Sequence, residues 1–242
     1  LASYLFEKPI PIDLKNTFKS IAIIATCFLL IAKQPDLGTS LVVSMAGIYI
    51  LFFAGLSWKF IGSSFLIFII SLPFLWNNFL QPFQQQRIQT LLDPGADPYG
   101  SGWNITQSKI AIGSGGISGK GYTDGSQSHL DFLPETETDF IFAVIAEEFG
   151  FIGGISLLGL YFLLIIFCGL VALACRDRYS GLVVSGITMT FFLYFAVNMA
   201  MVMGLAPVVG VPLPLVSYGG SAMFVLMIAF GIIQSADIHR AR

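Results

Sequence analysis

Long apolar runs separated by polar segments set the architecture of this chain. The runs cover Phe18 to Ala32, Ser40 to Leu56, Phe60 to Leu75, Ile152 to Cys175, Gly181 to Met203 and Ala222 to Ser235. Each approaches the length a helix needs to cross a hydrocarbon core, so an all-α polytopic integral membrane protein with about six transmembrane helices is expected. Pro35 stops the first run just before Asp36, and the short GLSWK connection makes the second and third runs antiparallel neighbours. Residues 1–17, with Glu7, Lys8, Asp13, Lys15, Pro9 and Pro11, read as a polar connector following an earlier span. Leu1 stands where an initiator Met would, and the chain is expected to be a fragment, a single membrane domain over 1–242.

Hydropathy collapses from Asn77 to Thr138, which predicts a large loop over 77–138 containing short interfacial or re-entrant helices. Pro82 opens one of these, with Phe83, Ile88 and Leu91 as an apolar stripe and Pro94 as its stop. GWNITQSKIAIGSGGISGKGY, from Gly102 to Tyr122, is a second helical pattern dissolving into glycines. The densest charge follows in HLDFLPETETDFIFAVIAEEFG, His129 to Gly150, which carries Asp131, Glu135, Glu137, Asp139, Glu147 and Glu148. A helix starting at Thr138 or Asp139 places Asp139, Ala143, Ala146, Glu147 and Gly150 on one small, acidic face. Phe140, Ile141, Val144, Ile145 and Phe149 take the remaining surface. At roughly 1.5 Å per residue, such a helix over 139–150 reaches about half way across the core. It is therefore expected to dip in from one surface, with Asp139 at its mouth. Further on, GLAPVVGVPLPLVSYGGS, Gly204 to Ser221, cannot be regular helix because of Pro207, Pro212, Pro214, Gly219 and Gly220.

Composition narrows the function classes. Hydrophobic residues make up 55% of the chain and charged ones 11%, and the mean hydropathy is +0.81. With a net charge of −2 there is no basic footprint, so no nucleic-acid partner is expected. Cys27, Cys168 and Cys175 lie in or beside apolar runs and read as small core residues. Basic residues set the orientation: Lys8, Lys15, Lys19, Lys59, Arg176, Arg178, Arg240 and Arg242 fall on one side of the alternation, and Lys33, Arg87, Lys109 and Lys120 on the other. Since Lys and Arg collect on the cytoplasmic side, a cytoplasmic C-terminus and an extracytoplasmic loop are expected.

The candidate chemistry has bland alternatives beside it. GSGGISGKG invites a phosphate-loop reading, but Ser114 replaces the first glycine of that pattern and Gly121 follows Lys120 where Ser or Thr is needed. It reads instead as a flexible turn, or as a backbone cradle in which Lys120 meets an anionic lipid headgroup. His129 and His239 are too far apart for a His-based zinc site or a Ser/His/Asp triad. A carboxylate-bound divalent cation such as Mg2+ stays open, because a substrate diphosphate supplies oxygen ligands. Asp139 reads either as a reactive carboxylate or as an acid favouring the start of a helix. Glu147 reads as an intramembrane carboxylate paired with a neighbouring element, Asp36 as a turn residue, and Asn198 as glue between helices. Ser217 and Tyr218 are hydrogen-bonding groups suited to satisfying a broken loop.

Four blocks carry a resemblance. QPDLGTS at Gln34 to Ser40, QSKIAIGSGGISGKG at Gln107 to Gly121, FLPETETDFIFAVIAEEFGFIGG at Phe132 to Gly154, and GVPLPLVSYGGSA at Gly210 to Ala222 resemble the SEDS family (shape, elongation, division and sporulation). Within it the chain is similar to the elongation branch rather than the division branch, because Val208 to Gly220 read VVGVPLPLVSYGG. The resemblance implies the last six helices of a ten-helix fold. It also implies a peptidoglycan glycosyltransferase of the bacterial cytoplasmic (inner) membrane that polymerises lipid II and releases undecaprenyl diphosphate. Its implied partners are a class B penicillin-binding protein and other membrane proteins of the elongation machinery.

The family's essential aspartate, in a Thr-Asp-Phe motif, falls on Asp139, with Glu137 where His or Gln is common. On this resemblance Asp139 is the expected general base, and Asp36, Glu135, Ser217 and Tyr218 join the substrate-binding candidates. Arg87, Lys109 and Lys120 are the outer-face cations available to a diphosphate leaving group. Glu135 and Glu137 would raise the pKa of Asp139 by like-charge repulsion, and the segment from Pro82 to Leu91 would lie where a polyprenyl tail enters. Two rival readings remain: a transporter of the lipid-linked precursor, and a non-catalytic scaffold that activates the penicillin-binding protein.

Overall fold

The structure is a computed structural model that describes residues 1–10, 12–34, 36–78, 80–93, 95, 100–125 and 136–239. Within those residues it is helical: α1 (Ala2–Leu5), α2 (Leu14–Ala32), α3 (Leu37–Phe53), α4 (Trp58–Asn78), α5 (Pro82–Leu92), α6 (Ser101–Ser114), α7 (Ile141–Ala174), α8 (Arg178–Val202) and α9 (Gly220–His239). Among the described residues, α2, α4, α7, α8 and α9 are long and apolar enough to cross a membrane, and α3 is apolar but has only 17 residues. The chain is therefore an all-α, multi-pass membrane protein.

Caps explain where the helices start earlier than the apolar runs do. Asp13 accepts the Asn16 N–H, so α2 begins at Leu14 rather than Phe18. The Asp36 carboxylate accepts the Thr39 N–H at 3.0 Å and starts α3 at Leu37. At the start of α8 the Ser180 N–H lies 2.9 Å from the Asp177 carboxylate. That bond is the main reason this exposed carboxyl titrates below its ordinary range.

The chain divides into two compact units. The first comprises Leu1–Gln85, Cys168–Thr190 and Gly231–Arg242. Leu5, Ile12, Leu51, Ala54 and Leu182 form its apolar centre. Beside them, the Arg178 guanidinium donates to the carbonyls of Phe6 and Ala54, each at 3.2 Å, and to that of Lys8. This fork ties the first residue of α8 to the end of α3 and to the segment after α1. Arg178→Lys keeps the charge but cannot span three carbonyls, and is expected to cost about 2 kcal/mol. Thermal unfolding in detergent checks this, and an unchanged midpoint would show that the fork is dispensable.

The second unit comprises Gln86–Phe167 and Phe191–Phe230. Phe140, Phe142, Ala143, Ala146, Phe195, Met199, Met201 and Leu213 belong to its core. Tyr161 stacks on Phe195 with centroids 4.6 Å apart, and its hydroxyl donates to the Pro214 carbonyl. A buried aromatic core thus ties down the middle of the proline-rich loop at Pro214.

Candidate active site

α7 is two helical stretches, because Gly150 inside it has φ 65° and ψ −160°. A break of that kind frees carbonyls before it and N–H groups after it, which lipid cannot satisfy. The glycine stretch after α6 supplies all four partners. Lys120 and Gly121 donate their N–H groups to the Glu147 and Glu148 carbonyls at 3.0 and 3.1 Å. In return Phe151 and Ile152 donate to the Gly116 and Ile117 carbonyls at 2.8 and 3.1 Å. The Gly119 N–H is spent on the Gly115 carbonyl at 2.9 Å. The stretch is therefore neither a flexible turn nor an anion cradle, since these N–H groups are already engaged.

Side chains reinforce the joint. Lys120 Nζ lies 2.6 Å from Oε1 of Glu147, whose side chain is 0% exposed. Thr123 donates its N–H to Glu148 Oε1 at 3.1 Å. Glu147 is buried and Lys120 reaches it from a partly exposed position, so Lys120→Ala weakens the support of a desolvated carboxylate and is expected to cost about 2 kcal/mol. A thermal midpoint equal to that of the unaltered protein would show instead that Glu147 does not need the ammonium.

Asp139 stands two residues before the first half of α7. The helix expected from Thr138 or Asp139 begins at Ile141, and Thr136 to Phe140 form a turn. The displacement has a cause: the turn's carbonyls are taken by other parts of the unit before a helix can use them. Asn198 Nδ2 donates to the Asp139 carbonyl at 2.8 Å. The Ser217 hydroxyl donates to the Thr138 carbonyl, and the Tyr218 N–H to the Glu137 carbonyl at 2.8 Å. Helical bonding starts only at Phe140, whose carbonyl accepts from Ala143 at 2.9 Å.

The proline-rich loop is shaped to meet that turn. Ser217 Oγ also accepts the Leu213 N–H at 2.8 Å, closing a tight bend in which Leu215 has φ 69°. Gly210, at φ 71°, lies beside the carboxylate, and a Cβ there would sit in ordinary contact, 3.6 Å from Asp139 Oδ2. The Asp139 side chain is half-buried, while the Tyr218 ring is 77% exposed. Asp139, Ser217 and Tyr218 are thus brought together.

The other candidates are placed differently. Lys109, exposed on α6, lays its amine across the start of the loop, with Nζ 2.6 Å from where a Cβ on Gly204 would be. Arg87 is half-buried on α5. Asp36 belongs to the first unit and caps α3. Glu135 lies outside the described residues. Among the described residues no group of three or more His, Cys, Asp or Glu side chains could hold a metal ion, so they do not build a cation site by themselves. Sequence reasoning missed Gly210 as a wall of the site, although a glycine between Val209 and Val211 was its signal.

A helix break patched by a glycine loop and a carboxylate walled by a proline loop define a class of membrane protein that comparison with known sequences identifies. The profile of the FtsW/RodA/SpoVE cell cycle proteins matches residues 1–242, and the chain belongs to that family. It is 48% identical over 240 residues to the peptidoglycan glycosyltransferase MrdB of Escherichia coli (strain K12), covering 99% of this chain and 65% of that protein. It is 46% identical over 161 residues to the peptidoglycan glycosyltransferase RodA of Treponema pallidum (strain Nichols), covering 66% of this chain and 37% of that protein. Among solved structures, one describing polymerization and crosslinking by a peptidoglycan synthase complex aligns with a TM-score of 0.83 at 30% identity, over 99% of this chain and 66% of that one. The crystal structure of the rod shape determining protein RodA of Thermus thermophilus aligns with a TM-score of 0.66 at 28% identity, over 100% of this chain and 62% of that one. The chain thus spans about 65% of the length of MrdB.

Proposed function

We propose that the protein to which this chain belongs is a peptidoglycan glycosyltransferase of the bacterial inner membrane, polymerising lipid II at the outer face with Asp139 as general base. The observation that carries the reading is the half-buried Asp139 carboxylate beside Gly210, on a turn whose Glu137, Thr138 and Asp139 carbonyls are tied down by Tyr218, Ser217 and Asn198. In the proposed step an acceptor-sugar hydroxyl attacks the anomeric carbon of the donor. A new C–O bond forms, the bond to the diphosphate breaks with its electron pair on the leaving oxygen, and the hydroxyl proton passes to Asp139. A diphosphate leaves as an anion without a strong acid, so one carboxylate suffices where a glycosidase needs two.

Lys109 is the cation best placed to meet the leaving group, because it is exposed and lies against the loop that walls Asp139. Lys120 supports the site from the helix break, its charge being shared with Glu147. Arg87, Glu135, Ser217 and Tyr218 complete the proposed substrate-binding set, whereas Asp36 is a capping residue of the first unit, and a divalent ion such as Mg2+ would arrive with the diphosphate. The C-terminus is cytoplasmic in this reading, and the partner is a class B penicillin-binding protein, as the likeness to a synthase complex supports.

The break at Gly150 is the observation that favours a transporter, since broken helices commonly offer free backbone groups to cargo. Here the freed groups pair with the glycine stretch, which favours chemistry over transport. Full-length protein with its partner, reconstituted in vesicles with lipid II, decides between them. Glycan chains on a gel support the polymerase, whereas headgroup crossing without polymer would establish the transporter.

A further inference from the structure

Asn198 is fully buried on α8, with 0% exposure. Its Nδ2 donates both protons to backbone carbonyls, to Asp139 at 2.8 Å and to Val211 at 2.7 Å. The opposite amide orientation would press oxygen against both carbonyls, so this one is fixed. Among the described residues its buried Oδ1 has no hydrogen-bond partner. A buried acceptor left this way is costly, and glue between helices would not require it. What the residue gains is a particular span: its two acceptors belong to Asp139 and to the neighbour of Gly210, the two walls of the same carboxylate. Of the bonds that hold the turn, Ser217 and Tyr218 secure Thr138 and Glu137, whereas Asn198 secures residue 139 itself.

We infer that Asn198 is a positioning residue, setting the distance between the Asp139 backbone and the loop wall so that the carboxylate stays aimed at the reacting hydroxyl. The inference rests on the proposed role of Asp139 as base. The test uses the full-length protein with its partner and compares Asn198→Ala, Asn198→Asp and Ser108→Ala. Asn198→Asp keeps the shape but cannot donate to both carbonyls. Ser108→Ala removes a buried hydroxyl on α6 that donates to the Val202 carbonyl of α8 at 2.8 Å, so the helix that carries Asn198 loses a bond while the turn is left alone.

Both Asn198 variants are expected to lower kcat by about 10- to 100-fold, the scale of a 1 Å misplacement, with KM within about two-fold of normal. Ser108→Ala should keep kcat. In parallel, hydrogen exchange of the peptide over 136–143 should quicken in both Asn198 variants and not in Ser108→Ala. Normal exchange there in Asn198→Ala would overturn the inference, as would an equal fall of kcat in Ser108→Ala. If the unaltered protein forms no polymer, the base reading falls, and the exchange result alone decides whether Asn198 positions Asp139.

Discussion

Asp139→Asn is expected to abolish detectable glycan polymer, lowering turnover by about 10²- to 10⁴-fold, the usual contribution of a general base. The substitution keeps the side-chain shape and the contact with Gly210 and leaves the backbone bond to Asn198 untouched. It removes the negative charge and with it the ability to take a proton, and turns one acceptor oxygen into a donor. The thermal midpoint and capture of the penicillin-binding partner should therefore match those of the unaltered protein. A gel of products from lipid II, run beside a midpoint measurement, checks both halves. Undiminished polymer would move the base elsewhere, and polymer lost together with folding would make Asp139 a structural residue.

The second large effect belongs to the helix break. Gly115 has ordinary helical angles, φ −68° and ψ −22°, so alanine meets no backbone strain there. What it meets is the Ala146 carbonyl oxygen, which a Cβ would overlap, and the Glu147 Cα at 3.1 Å. These are backbone atoms and cannot swing aside. The glycine stretch would have to lift away, giving up the four backbone bonds across Gly150 and the Lys120–Glu147 pair. Gly115→Ala is therefore expected to destabilise by more than about 4 kcal/mol, enough to remove most folded protein. Gly159→Ala is the matched control, because among the described residues nothing lies within 4 Å of its new methyl group. Size-exclusion profiles of the two variants decide: a normal monodisperse peak for Gly115→Ala would mean that the stretch is loosely docked.

Much of this fold was legible because lipid demands it. Five of the apolar runs became spanning helices and the run over 40–56 became the shorter α3, with boundaries moved mainly by Asp13 and Asp36, whose capping spacing is local. Asp139 stood out in the sequence through charge density beside an apolar segment, but its position in a turn ahead of the helix did not. The carbonyls of Thr138 and Asp139 are claimed by Ser217 and Asn198, distant in sequence, and no local pattern announces such competition. The glycine stretch failed for the same reason. Its flexibility is what composition alone suggests, yet its partner is a break on another helix.

The joint across Gly150 also fixes chain length. Its bonds pair residue 116 with 151, 117 with 152, 120 with 147 and 121 with 148. Two donations run one way and two the other, so deleting or adding a single residue between Ile117 and Lys120 would shift one half of the ladder against the other. The side chains of Ile117 and Ser118 themselves face outward and are exposed. Substitutions at these two positions leave the ladder in register, whereas an insertion would strip carbonyls and N–H groups on both sides of Gly150 of their partners at once.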